Sequence, residues 1–394
     1  MKILFKLALR NLLGAGLRTW LNIAVLSFAF VAIIWTQGFY RGMSRQAIQA
    51  LTDAEYGGGQ YWHEQYDPFN PLTLDDAHGR VPEPLQKLIE ERKATAVLII
   101  QGTLYPHGRF LPVTVRGIDP AQGVLLFPSE FLETGDGNDA EIPAIIGSRM
   151  ARSTGLKVGD TVTLRWRDAR GAFDARNIRI VQVMSTTVQS IDQGQIWLSL
   201  DTLRSLAGME GEATLITLAK GTPFLEEIPG WSYKSPDVLL KDIHDLVRSK
   251  TLGATILYII LILLAMLAIF DTQVLSIFRR RKEMGTLMAM GMTRLKIIQL
   301  FTIEGALHSV LAALVAAVYG IPLLTLSARS GWAMPQAVDS YGYAIGERIF
   351  PVYSAGLVIG TTVLVMLVTT VVSFLPTRKI SRLKPTDALR GRMP

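Results

Sequence analysis

Four stretches without a single charged residue constrain this chain more than anything else in it. They are residues 19–40, 251–270, 305–328 and 349–377, of 22, 20, 24 and 29 residues. The second resumes its apolar character after Asp271 and runs on to Phe278. A bilayer core about 30 Å thick is crossed by roughly 20 helical residues at ~1.5 Å each. Every run is long enough, and a water-soluble chain rarely buries four such helices. Only 19% of the residues are charged, where soluble domains carry about a quarter. The pattern predicts four transmembrane helices, at 19–40, 251–278, 299–328 and 351–375. The first is expected to be retained. A signal peptide's apolar region is only ~7–15 residues long, and TQGFYRGMSRQ offers no small-x-small cleavage site.

Charge placement gives the orientation. Lys2, Lys6, Arg10 and Arg18 stand in residues 1–19 with no acid among them. Residues 279–296 carry six bases against Glu283, and residues 376–394 six against Asp387. The long segment 41–250 reverses the balance, with 22 basic and 27 acidic residues. Short basic segments stay on the cytoplasmic side. Residues 1–18 are therefore expected as a cytoplasmic amphipathic segment, 279–298 as a cytoplasmic loop and 376–394 as a cytoplasmic tail. Residues 41–250 form a large outside domain, and 329–350 a short outside loop. The net charge of +7 is a topology signal, so nucleic acid is not an expected partner. The fold class expected is an α-helical integral membrane protein with four transmembrane helices plus a mixed α/β extracytoplasmic domain.

Both ends of that domain read as helical stalks. Phe39, Met43, Ala47 and Leu51 recur every four residues, and Leu239, Leu240, Ile243, Leu246 and Val247 make a helical stripe that starts at Pro236 and Asp237. Between them, 82–93 reads as a helix. The segments 95–104, 110–118, 161–166, 177–186, 194–199 and 213–219 read as strands. Asp201 is the expected N-cap of a helix through TLRSLA. The turn-rich, aromatic 56–72 fits no element, and Gly57–Gly59 reads as a flexible loop.

Searches for chemistry exclude the common enzyme classes. There is no cysteine, hence no thiolate catalysis or Cys-based metal site. No G-x-x-x-x-G-K-[ST], G-x-S-x-G or H-E-x-x-H occurs. His63, His78, His107, His244 and His308 lack ligand spacing, and GDGND (135–139) lacks the full calcium loop. The chain is expected to be non-catalytic, without a cofactor or metal of its own. Asp271 and Glu304 lie within apolar segments, where acids are costly and often functional. Glu304 is placed to snorkel or to pair with an arginine of the 279–296 loop.

The most informative segment is RRRKEMGTLMAMGMTRLKIIQLFTIEGA (279–306). MGTLMAMGM makes a short apolar helix with small residues at 285, 289 and 291, flanked by charge that keeps it at the membrane surface. This loop resembles the coupling helix of the FtsX-like permease family, close to E-R-x-x-E-I-G-x-x-x-A-x-G. The end of the chain resembles the same family's P-x-x-x-A-x-x-x-x-P-x-x-A-L-R through Pro376, Arg378, Pro385, Ala388, Leu389 and Arg390. Residues 142–166 are similar to its extracytoplasmic domain. One helix, a domain of about 200 residues and then three helices resembles the lipoprotein-releasing LolC/LolE-type permeases most closely. Those carry a long carrier-binding hairpin where this chain has only RDARGAFDAR (167–176).

The resemblance implies a MacB-like, type VII ABC permease subunit of the bacterial inner membrane that works by mechanotransmission. Arg281, Glu283, Met284, Gly285, Ala289, Gly291 and Thr293 are then the ATPase-coupling residues. Trp35, Phe39, Tyr40 and Met43 are candidate substrate contacts, and Ala47, Leu51, Leu239, Ile243, Leu246 and Val247 form the stalks. The implied partners are cytoplasmic ABC ATPase subunits that bind ATP and Mg, a second permease copy or paralogue, a lipoprotein substrate and a periplasmic carrier. The alternatives are MacB-like export of a peptide, antibiotic or hydrophobic compound, or FtsX-like signalling to a partner such as a cell-wall hydrolase.

Overall fold

The computed structural model describes residues 2–13, 16–133, 141–186, 188–225, 228–333 and 348–378. GDGND, the residues of the outside loop from 334 to 347 and the motif residues Pro385, Ala388, Leu389 and Arg390 lie outside them. The chain forms two compact units. One comprises residues 1–43, 247–332 and 349–394, the other residues 44–246 and 333–348.

Among the described residues, four helices are long and apolar enough to cross a membrane, and they carry the first unit. They span Leu17–Leu51, Lys241–Arg279, Arg294–Ser330 and Ala355–Thr377. The first three are longer than the charge-free runs, because charge marks where lipid ends and not where a helix ends. The expected stalk helix from Pro236 is broken in two. A short turn, Pro236–Leu239, precedes the long helix that starts at Lys241.

Within the membrane unit, Phe30, Leu26 and Ile23 of the first helix pack with Ile269, Ala312 and Val365 of the other three. Leu252, Ile256, Leu263 and Leu267 of the second helix face outward, an arrangement suited to lipid. Lipid removes the hydrophobic drive between helices, so close approach through small residues carries more of the packing. Gly38 and Gly42, four apart, provide it. A Cβ at Gly38 would lie 2.2 Å from the Tyr353 ring, and one at Gly42 would lie 2.2 Å from the Phe350 carbonyl oxygen. The Val352 N–H donates to the Gly38 carbonyl at 2.9 Å. The short helix Lys2–Leu13 packs Ala8 and Leu12 against Leu300 and Leu307.

The second unit is built on a nine-stranded sheet. Its strands are β1 Gln60–His63, β2 Ala94–Leu104, β3 Leu111–Ile118, β4 Ile142–Gly147, β5 Thr161–Arg167, β6 Phe173–Met184, β7 Gln195–Ser199, β8 Leu215–Leu218 and β9 Trp231–Lys234. The order is β9-β1-β8-β2-β3-β7-β4-β6-β5, and β5 returns to pair with the end of β2. Strand alternation sorts the side chains between two faces. Leu98, Ile100, Val115, Ile196 and Ile216 lie on one face, with Leu85 and Leu203 from the helices Glu83–Glu90 and Leu200–Ala207. Val97, Ile99, Ile118, Trp197 and Leu215 lie on the other.

Four local readings are corrected. Ser199, not Asp201, caps the helix Leu200–Ala207, its hydroxyl accepting from the Thr202 N–H at 3.2 Å. The segment 213–219 is not one strand: Glu212–Ala213 pairs with Gly79–Arg80 in a separate ribbon, and Leu215–Leu218 joins the main sheet. Residues 56–72 contain β1, which pairs on both sides, with β8 and with the edge strand β9. Gly57–Gly59 is not a flexible loop but a tight turn. Gly58 donates to the Leu218 carbonyl at 2.7 Å, and a Cβ there would lie 2.4 Å from the Ala219 oxygen.

Candidate coupling site

The loop between the second and third membrane-type helices is itself helical, Arg281–Ala289. Gly291, at φ +92°, turns the chain back, a conformation that disfavours any residue with a Cβ. Thr293 then caps the third helix, its hydroxyl accepting from the Lys296 N–H at 3.4 Å. Met284 is buried with Ile297 and Phe301, and Ile277, Leu287 and Met288 pack around them. The short helix is therefore pinned by its apolar side to the helices before and after it.

One arginine locks this arrangement. Arg280 Nε donates to Glu283 at 2.7 Å, and its Nη1 donates to Glu304 at 2.9 Å. Its guanidinium lies 5.1 Å from the centre of the Phe301 ring. The Glu304 side chain is only 6% exposed. A single cation thus ties the end of one long helix to the first turn of the loop helix and to the body of the next. Glu304 makes the ion pair with a loop arginine that its position suggested.

The sequence-derived residues divide into two sets. Met284 and Gly285 are buried, whereas Glu283, Ala289, Gly291 and Thr293 are exposed. Gly285 is therefore not on the exposed face of this segment, which carries Lys282, Glu283, Thr286, Ala289 and Met290, with Met290 71% exposed. Arg281 heads the helix, and its side chain lies outside the described residues. Arg280 was missed, although E-R-x-x-E spacing puts the pattern's arginine three residues before Glu283, at 280.

Trp35, Phe39 and Tyr40 are half-buried, and Met43 is buried. Trp35 is engaged in packing. It stacks on Phe39 with centroids 5.6 Å apart and meets the edge of Trp332 at 5.1 Å. Its Nε1 donates to Ser327 Oγ at 3.3 Å, the hydroxyl that also accepts from Trp332 and Tyr353. Phe39 and Tyr40 meet edge to face, with centroids 6.1 Å apart. Among the stalk residues, Ala47 and Leu51 are buried in one cluster with Leu240, Val97 and Ile99, and Ile243 packs against it. They join the core of the α/β domain instead of forming a separate two-helix seam. Leu239, Leu246 and Val247 are half-buried.

Residues 19–224 match the MacB-like periplasmic core domain, and residues 255–385 match the FtsX-like permease C-terminal domain. An uncharacterized ABC transporter permease of Methanocaldococcus jannaschii is 24% identical over 255 residues, 60% of this chain and 58% of that protein. The macrolide export ATP-binding/permease protein MacB of Shewanella sp. (strain ANA-3) is 23% identical over 421 residues, 98% of this chain and 60% of that protein. The MacB of Burkholderia lata is 25% identical over 224 residues, 56% of this chain and 30% of that protein. The chain spans about three fifths or less of the length of these relatives. The extracellular domain of the noncanonic ABC-type transporter YknZ from Gram-positive bacteria aligns with 42% of this chain and 83% of its own, at 15% identity and a TM-score of 0.25.

Proposed function

We infer function from one premise: the chain belongs to the family of permeases with a MacB-like periplasmic core and an FtsX-like C-terminal domain. It is an ABC transporter permease. We propose that an ABC ATPase docks on the exposed face of the helix Arg281–Ala289 and supplies all nucleotide hydrolysis, with ATP and Mg bound there. The observation that carries this is the Arg280 clamp. A docking helix transmits force only if it is fixed to the transmembrane helices, and Arg280 with buried Met284 fixes it to two of them. Closure of an ATPase pair would then shift helices Lys241–Arg279 and Arg294–Ser330 together. The helices that leave the membrane unit near residues 43 and 247 provide the covalent route to the α/β domain. A second copy or paralogue completes the complex, with both termini cytoplasmic and the α/β domain outside.

The cargo reading shifts from the sequence expectation. Lipoprotein release and a periplasmic carrier were inferred from layout, and the segment 167–176 holds only the end of β5, a short turn at 168–172 and the start of β6. Relatives that match across nearly the whole chain bear the name of macrolide exporters. Export of a hydrophobic compound is the cargo class we propose. The test is ATP hydrolysis by the paired ABC ATPase, measured with this chain in nanodiscs. The chain should stimulate hydrolysis, and Met290→Glu should abolish that stimulation while leaving the melting of the chain unchanged. Wild-type stimulation by both Met290→Glu and Ala289→Glu would remove the docking assignment. Stimulated hydrolysis that moves no hydrophobic compound would favour lipoprotein extraction or signalling instead.

A further inference from the structure

The α/β domain contains a cleft of about 800 Å³, within the range of small-molecule sites. Its floor is one face of the sheet, and pairing fixes which residues share it. Thr114 of β3 pairs with Gln195 of β7 and Gln101 of β2, and Arg116 pairs with Trp197 and Ile99. This face is apolar where Val97, Ile118 and Leu215 lie and becomes polar toward Gln101, Thr114 and Gln195. The walls come from the 56–75 segment and from the turn at 238–242.

Among the described residues that line the cleft, two polar atoms are buried without a partner. Arg116 is 8% exposed and Gln195 7%. Arg116 spends Nη1 on Glu55 at 2.9 Å and lies over the Trp197 ring at 5.4 Å, which leaves its Nε without an acceptor. Gln195 Oε1 has no donor. Leaving such groups unpaired costs about 1–3 kcal/mol each, so the floor favours a ligand that supplies one acceptor and one donor. Arg116 and Gln195 are diagonal neighbours on adjacent strands, a spacing suited to adjacent hydroxyls of one ligand, one accepting from Arg116 and the other donating to Gln195.

The walls add an aromatic platform. Trp62 is held by its Nε1 donating to Gln60 at 2.8 Å and by the edge of Tyr66 at 5.1 Å, and Lys234 lies 5.7 Å from its ring centre. Burial pushes the Tyr56 and Tyr66 hydroxyls above their usual pKa. The charges that line the cleft balance, with Arg116, Lys234 and Lys241 facing Glu55, Asp67 and Asp242.

We propose that this cleft binds an uncharged, hydroxyl-rich ring compound, a saccharide or glycosyl group, stacked on Trp62 and hydrogen-bonded by Arg116 and Gln195. The alternatives fit less well. A lipid chain would desolvate the glutamine row without pairing it. A peptide adding a strand needs a free sheet edge, whereas β2, β3, β7 and β8 are all interior strands. A strongly charged ligand would meet no net opposite charge.

The test is tryptophan fluorescence of the full chain in nanodiscs, without any ATPase, titrated with an N-acetylglucosamine tetramer and separately with a blocked neutral tripeptide. Saturable quenching by the saccharide is expected, lost in Trp62→Phe and weakened about tenfold or more in Gln195→Leu with unchanged melting. No saturable change up to ~10 mM saccharide would overturn the proposal. So would wild-type binding by Gln195→Leu, or tripeptide binding tighter than saccharide binding. Because the assay needs no partner, its failure leaves the ATPase-docking assignment standing.

Discussion

Replacing Arg280 by methionine keeps most of the stem's volume and removes the charge. Glu304 then remains 6% exposed without its cation. Breaking a buried ion pair by removing one partner costs roughly 3–5 kcal/mol. Arg280 itself is 20% exposed, so water reaches the pair and the lower end, about 3 kcal/mol, is expected. That corresponds to a population change of roughly a hundredfold. SDS-driven unfolding in mixed micelles would measure it. Glu304→Gln removes the buried charge, so Arg280→Met made on that background should cost about 1 kcal/mol or less, leaving an interaction energy near 2 kcal/mol in the double-mutant cycle. Maleimide reaction at Glu283→Cys should also accelerate in Arg280→Met, because the first turn of the loop helix loses its anchor. If the two single costs add to within about 0.5 kcal/mol, the clamp contributes nothing and the reasoning fails.

Other perturbations test the remaining parts. Gly42→Val would drive a side chain into the Phe350 carbonyl, 2.2 Å from the first added atom. A loss of about 3 kcal/mol should appear in detergent melting, while Gly360→Val, whose added Cβ would meet no described residue beyond its own stretch of helix within 4 Å, should melt close to wild type. Leu51→Asp places a charge in a site 5% exposed, and urea unfolding of the α/β domain should shift by about 3–5 kcal/mol. Leu239→Asp, half-buried at the cleft edge, should shift it by less than about 1 kcal/mol. In the cysteine-free background, Asp168→Cys should react with impermeant maleimide in intact cells and Met290→Cys should not. The reverse pattern would invert the proposed topology.

How much of this was readable from residues depended on the physics behind each element. Lipid tolerates no unpaired charge, so the four apolar runs were visible without any structure. The ends of the helices were not, because beyond the lipid a helix such as Leu17–Leu51 continues into sequence where polar residues no longer distinguish helix from loop. Alternating strands such as β3 and β5 were legible. The split between Ala213 and Leu215 was not, because it depends on pairing with Gly79–Arg80 far away in the chain. Four consecutive basic residues, Arg279 to Lys282, look alike by composition; the E-R-x-x-E spacing singles out Arg280, but its pairing with Glu304 is seen only in the structure. The close approach at Gly38 and Gly42 carried a signal, two glycines four apart beside an apolar run. Arg116 and Gln195 carried none, since 78 intervening residues separate two strands that the sheet makes neighbours.

The most direct test of the central claim is site-specific photo-crosslinking in cells, with the reactive group at Met290 and, in a second strain, at Asp168. The Met290 probe should join this chain to an ABC ATPase, identified by its own nucleotide-binding motif, and more strongly when hydrolysis is blocked. The Asp168 probe should capture no ATPase. An ATPase crosslinked at Asp168, or a Met290 probe that joins only lipid, would contradict the account.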